Sequence, residues 1–244
     1  MAPRIGLISS VSVEGEVIRR NLADIHEGVH CGLTFQEGTV YDKSVVYLIS
    51  GIGKTNASRG TTFLIEKFSP GIIIHIGVGG AYPLSGLRAG DIAVAEKEIY
   101  GDEGVLLKDG FHTAEMIGIP LLVKTPKKYF NEFPQNKKLL KMAVRISRVT
   151  FHASNITVRS GPFLTLSTCT GTVRRAREIE KTFHAICENM EGAAVAHVCM
   201  SCGIPMVEIR GISNIVGERN KKKWNISLAA ENCQRVVLEL LKEI

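Results

Sequence analysis

Short apolar runs recur along the chain, each bounded by glycine, proline or polar residues: Ile5–Ile8, Val45–Ile49, Ile72–Ile76, Ile92–Ala95, Ile156–Val158 and Met206–Ile212. Runs of this length with such boundaries predict buried strands rather than helices. Between them, apolar positions fall three and four apart over Glu14–Ala23, Lys54–Phe68, Gln135–Ile146, Val173–Phe183, Glu191–Cys202 and Leu228–Glu243. That is the spacing of amphipathic helices. Strands alternating with helices predict an α/β fold around a mostly parallel sheet covered on both faces. No boundary, internal repeat or low-complexity linker interrupts the pattern, so residues 1–244 read as a single domain. Only the segment 101–135, rich in Gly, Lys and Pro, shows neither period.

A hydrophobic content of 45% over 244 residues supplies a sizeable core. No apolar run reaches the ~18 residues of a membrane span, and "MAPRIGLISS" passes into a strand-like run without the apolar core of a signal peptide. Cys31, Cys169, Cys187, Cys199, Cys202 and Cys233 are scattered through core-like segments, which predicts a reduced, cytoplasmic protein. The net charge of +6 is dispersed, and the compact runs "PKK" (126–128) and "KKK" (221–223) lack interleaved aromatics. Solvated loops, not a nucleic-acid surface, are expected there. A mildly basic surface also suits an anionic small-molecule substrate.

Three motifs invite chemistry and fail. "GIGKT" (51–55) ends like a phosphate-binding loop, but Leu48 stands where that loop needs its first glycine. "GVGGAY" (77–82) follows a strand like a dinucleotide fingerprint, yet Tyr82 occupies the third small position, so no nicotinamide cofactor is expected. What survives is bare backbone beyond the strand, where a ligand can come close. "CMSC" (199–202) has no matching second pair and lies in a helical stretch, so these cysteines, like His75 and His197, read as packing residues and no metal site is expected.

A rim of carboxylates and one amide remains. "SVEGE" (12–16) follows the first strand, "ENMEGAAVAHVC" (188–199) opens a helix, and "RGISN" (210–214) ends a strand. Ligands of open α/β sheets gather at the carboxyl ends of strands. Glycoside chemistry there pairs carboxylates around an oxocarbenium-like transition state.

With these residues in view, the chain resembles the purine nucleoside phosphorylase/nucleosidase superfamily, and within it the branch typified by methylthioadenosine/S-adenosylhomocysteine nucleosidase. The matching stretches are "IGLISSVSVEGEV" (5–17), "SGIGKTNA" (50–57), "IIIHIGVGGA" (72–81), "AGDIAVAEKE" (89–98), "MEGAAVAHVC" (190–199) and "RGISN" (210–214). The resemblance implies one α/β domain around a central mixed sheet flanked by helices, no metal, no organic cofactor, and a homo-oligomer of two or more subunits. It puts Glu14 at a water-activating carboxylate, Glu191 at the carboxylate that grips the ribose hydroxyls, and Asn214 opposite the leaving purine. Met190 packs on the sugar, Phe163 of "GPFLT" (161–165) stacks on the purine, and Leu164 offers backbone contacts. Val78, Gly79, Gly80, Asn189 and Ser213 complete the expected substrate-binding set.

Two positions depart from the adenine-specific nucleosidases, which carry an aspartate where Asn214 stands and a small hydroxyl residue where Val78 stands. In these, and in "GAYPLSGL" (80–87), "GPFLTLST" (161–168) and "NIVGERNKKKW" (214–224), the chain resembles the futalosine hydrolases of menaquinone biosynthesis. An amide can donate to the O6 of a 6-oxopurine and accept from a protonated N7, whereas a carboxylate suits a 6-amino base. The expected reaction is therefore hydrolysis of futalosine to hypoxanthine and dehypoxanthine futalosine. The alternatives are a methylthioadenosine/S-adenosylhomocysteine or aminofutalosine nucleosidase, a purine nucleoside phosphorylase, or a non-catalytic nucleoside binder. Tyr82, His112 and Arg88 are loop candidates for holding the carboxyphenyl tail of futalosine.

Overall fold

A computed structural model describes residues 3–244. Its strands are β1 (Ile5–Ser9), β2 (Ala23–His30), β3 (Leu33–Val40), β4 (Lys43–Ile49), β5 (Ile72–Ala81), β6 (Ile92–Tyr100), β7 (Gly104–Leu107), β8 (Gly110–Thr113), β9 (Leu122–Lys124), β10 (Lys127–Tyr129), β11 (Glu132–Pro134), β12 (Val158–Thr165), β13 (Cys187–Asn189) and β14 (Met206–Ile215). The helices are α1 (Glu16–Arg20), α2 (Lys54–Phe68), α3 (Lys137–Thr150), α4 (Val173–Phe183), α5 (Gly192–Cys202) and α6 (Ile226–Leu241). Among the described residues, no helix is long and apolar enough to cross a membrane.

Ten strands form one sheet, ordered β11-β6-β12-β13-β5-β1-β4-β3-β2, with β14 paired to both β5 and β6. β1 runs parallel to β4 and β5, β12 to β6 and β13, and β14 to β5. The remaining pairings are antiparallel. The sheet is therefore mixed, and the mostly parallel sheet expected from alternation alone is corrected. Helices α3 and α6 cover one face through Leu139, Ala143, Val236, Val237 and Leu240. Helices α2 and α5 cover the other through Ala57, Leu64, Phe68, Ala194 and Val195.

Because β14 joins β5 to β6, the strands β5, β14, β6, β12 and β13 close on themselves into a ring. Each contributes to one buried cluster: Ala81, Ile212, Ala93 with Ala95, Phe163 and Cys187. Alternation along β12 turns Phe163 into this cluster, where it is fully buried. The other departures are local. The helix expected over Glu14–Ala23 is a turn of 3₁₀ helix at Ser12–Glu14 followed by the short α1, and the chain then enters β2. Strand β5 continues through "GVGG" instead of ending before it.

Candidate active site

A cavity of about 210 Å³ opens where the ends of β1, β5 and β14 meet the starts of α2 and α5. Of the residues expected at the site, Glu14, Val78, Gly79, Gly80, Asn189, Met190, Glu191, Ser213 and Asn214 all line it. Phe163 and Leu164 do not: both are fully buried, Phe163 within the closed ring and Leu164 in a neighbouring cluster with Tyr82 and Ile179. The expected stacking of Phe163 on a base is therefore corrected.

Glu14 ends the 3₁₀ turn after β1 and is 3% exposed. Its Oε2 accepts from the backbone N–H groups of Ser10 (2.9 Å) and Val11 (3.1 Å), and its Oε1 from that of Val78 (2.8 Å). A carboxylate has about four acceptor sites, so one remains on Oε1. The Oγ of Ser10, whose backbone N–H binds Glu14, is buried with no hydrogen-bond partner among the described residues. Glycine at position 77 is a requirement of this wall: a Cβ there would lie 2.7 Å from Glu14 Oε1 and 2.3 Å from Arg210 Nη1.

Glu191 sits at the start of α5. Its Oε1 accepts from Gly53 N–H (2.9 Å) at the start of α2, and its Oε2 lies 3.8 Å from Arg210 Nη2. "GIGKT" thus serves the site, by greeting a carboxylate of the same chain with a backbone N–H. The side chain of Asn189 is committed to the scaffold. Its Oδ1 accepts from the N–H groups of Glu191 (2.9 Å) and Gly192 (2.7 Å), and its Nδ2 donates to Glu98 (2.6 Å).

Asn214 follows a register shift in the pairing of β14 with β5. The hydroxyl of Ser213 donates to its Oδ1 (2.7 Å), and its Nδ2 donates to the carbonyl of Ile215 (3.0 Å). The amide keeps one N–H and one acceptor site for a ligand.

Below the cavity lies Arg210, 1% exposed, which carries no expected role from sequence. Its Nε donates to Glu208 (2.7 Å), its Nη1 to the carbonyl of Val78 (3.2 Å), and its Nη2 lies 3.1 Å from His75 Nε2. Burial alone would depress the pKa of the guanidinium, but the carboxylates of Glu208, Glu191 and Glu14 outweigh it and raise that pKa. Burial opposes ionisation of Glu208 too, yet His75 and Arg210 hold its pKa down to about 2. The neighbouring Glu98 goes the other way: burial and the charge of Glu208 push its pKa well above the ordinary carboxylate range. One proton is thereby kept among the buried acids. Charged residues at 208 and 210 inside an otherwise apolar strand were the sequence signal for this cluster.

The cavity also recruits Ile52, Thr170, Glu188, Arg219 and Trp224. The guanidinium of Arg219 lies 5.0 Å from the Trp224 ring centroid. Of the loop candidates, Tyr82 is buried with its hydroxyl on Glu188 (2.8 Å), Arg88 donates to the carbonyl of Asn155 (2.8 Å), and His112 pairs with Asp109 (3.0 Å). None of the three lines the cavity.

Residues 4–242 match the family model described as Phosphorylase superfamily. The chain is 31% identical over 243 residues to 5′-methylthioadenosine/S-adenosylhomocysteine nucleosidase of Listeria monocytogenes, covering 98% of this chain and 99% of that one. Against the enzyme of the same name from Oceanobacillus iheyensis the identity is 27%, covering 98% and 99%. The Colwellia psychrerythraea nucleosidase in complex with adenine superposes with a TM-score of 0.84 at 26% identity, covering 99% of this chain and 95% of that one. A futalosine hydrolase from Helicobacter pylori shares the fold, with a TM-score of 0.83 at 21% identity, covering 100% and 99%. The chain belongs to the phosphorylase superfamily and stands among its nucleosidases, the enzymes that hydrolyse N-glycosidic bonds.

Proposed function

We propose that the protein hydrolyses the N-glycosidic bond of futalosine, releasing hypoxanthine and dehypoxanthine futalosine in menaquinone biosynthesis. The observation that carries this reading is the free hydrogen-bonding capacity of Asn214. One N–H and one acceptor match the O6 and protonated N7 of a departing 6-oxopurine, which a carboxylate at this position would repel.

Glu191 holds the ribose hydroxyls while positive charge builds on the sugar. Glu14 uses its remaining acceptor site to orient water and take its proton. Asn214 stabilises electron density arriving on the base. A carboxylate at position 14 repels phosphate, which favours hydrolysis over phosphorolysis. Arg219 and Trp224 put a cation and an aromatic face at the cavity, which suits the carboxyphenyl tail.

The second reading is a 6-aminopurine nucleosidase acting on methylthioadenosine, S-adenosylhomocysteine or aminofutalosine. The names of the relatives at 27% and 31% identity favour it. Incubation with futalosine, inosine and methylthioadenosine, with and without phosphate, separates the readings by the base released. Phosphate-independent hypoxanthine release from futalosine is expected; adenine release alone selects the second reading. Asn214→Asp should also shift kcat/KM from the 6-oxo substrate toward its 6-amino analogue by about tenfold to a hundredfold, the worth of one mismatched hydrogen-bond pattern. Equal loss on both substrates would remove Asn214 from base recognition.

A further inference from the structure

We infer that Glu188 is the second arm of a base-reading clamp and accepts the N1–H of the purine that Asn214 holds from the other side. The inference rests on the 6-oxopurine reading above and adds to it a residue and an atom.

The placement follows from strand register. Gly80 on β5 pairs with Glu188 of β13 on one flank and with Asn214 of β14 on the other. Directly opposed residues project to the same face of a sheet, so both side chains stand on the face that Gly80 leaves bare. Two strand spacings separate their backbones by roughly 9.5 Å. That span takes the heterocycle and a hydrogen bond at each edge. The missing Cβ is part of the device: built on Gly80, it would lie 3.5 Å from Asn214 Nδ2 and 2.9 Å from Val216 Cγ2.

The carboxylate is also held ready. Its Oε2 accepts from the hydroxyls of Tyr82 (2.8 Å) and Thr170 (2.6 Å), and its Oε1 from Thr170 N–H (2.9 Å). All three donors are neutral. Of about four acceptor sites, one is left, on Oε1, in a half-buried anion that lines the cavity. It lacks one N–H donor. A 6-oxopurine supplies that donor at N1, whereas a 6-aminopurine presents a lone pair at N1 and meets the carboxylate acceptor to acceptor. A tyrosine buried for the sake of its hydroxyl, and a threonine giving both its hydroxyl and its N–H, explain why Tyr82 and Thr170 stand here.

The test compares kcat/KM for futalosine, its N1-methyl derivative and its 6-amino analogue. In the wild-type enzyme the N1-methyl substrate should lose at least about tenfold against the parent. Glu188→Gln should lower kcat/KM for futalosine by about tenfold or more, chiefly through KM, and narrow the gap to the 6-amino analogue by a similar factor. The losses from methylation and substitution should not add, since both remove one contact. A wild-type enzyme that tolerates N1-methylation overturns the inference without any variant being made. A variant that preserves the 6-oxo to 6-amino ratio overturns it while leaving the 6-oxopurine reading intact. Wild-type preference for the 6-amino analogue overturns both.

Discussion

Glu14→Gln should lower kcat by at least about 10²-fold while KM changes little. A positioned general base is typically worth 10²- to 10⁴-fold, and an amide cannot take the proton of water at any working pH. Loss confined to kcat reports an interaction made in the transition state rather than in substrate binding. The geometry adds a second consequence. Three backbone N–H groups converge on the two oxygens of Glu14. A glutamine can present its oxygen to only one side, so its NH₂ must face either the Ser10 and Val11 donors or the Val78 donor. An unsatisfied buried donor costs about 1–3 kcal/mol, so the variant should also melt earlier, with the larger loss in activity. Steady-state kinetics alongside a thermal melt separates the two effects. Turnover near that of the wild-type enzyme would remove Glu14 from the chemistry.

Much of the fold was legible, and the illegible parts share physical causes. Helices α2 and α4 begin and end where the apolar spacing puts them, because each buries one stripe and exposes the rest. Strand β2 was invisible because none of its residues is buried, so no two-residue period marks it. The hairpins of 101–135 are short and their four strands β7 to β10 contain no buried residue, so they escape notice for the same reason. Glycines in "GVGG" read as a loop although β5 runs through them; their purpose is to let Arg210, Glu14 and Asn214 approach the strand.

Around the cavity, Glu14, Glu191 and Asn214 are brought together from three separate stretches, and the family resemblance rather than their position in the chain singles them out. Phe163 was misplaced because closure of the five-strand ring is a tertiary event, and only that closure decides which face of β12 is interior. Glu188 was passed over as a neighbour of Asn189 and Met190. Its importance lies in register across Gly80, which a single sequence does not display.

Arg210→Met should be the most destabilising single change at this site. The guanidinium lies under the cavity, ion-paired with Glu208 and 3.8 Å from Glu191, and it fixes the carbonyl of the same Val78 whose N–H holds Glu14. Removing one partner of a buried pair leaves an uncompensated charge and costs about 3–5 kcal/mol. For a chain of this size that corresponds to a fall in Tm of roughly 6–20 °C. The pH dependence identifies the cause. In the wild-type protein the Glu208 pKa is held down to about 2, below its ordinary value of 4.5. Its ionised form therefore contributes stability that is present above pH 4.5 and lost as pH falls toward 2. In the variant one of the two groups that oppose burial is gone and only His75 is left beside Glu208, so the pKa of Glu208 must rise, and the carboxylate costs stability wherever it stays charged. The gap in Tm between the two proteins should accordingly be widest near neutral pH and narrow as the solution is made acid. Adding Glu208→Gln to Arg210→Met should recover part of the loss, since it removes the buried carboxylate that was ion-paired to the missing guanidinium. Melts of the three proteins at neutral and mildly acid pH decide the matter: a gap that does not change with pH, or a double variant weaker than the sum of its parts, would mean that Arg210 stabilises by packing and not by holding the buried carboxylates in place.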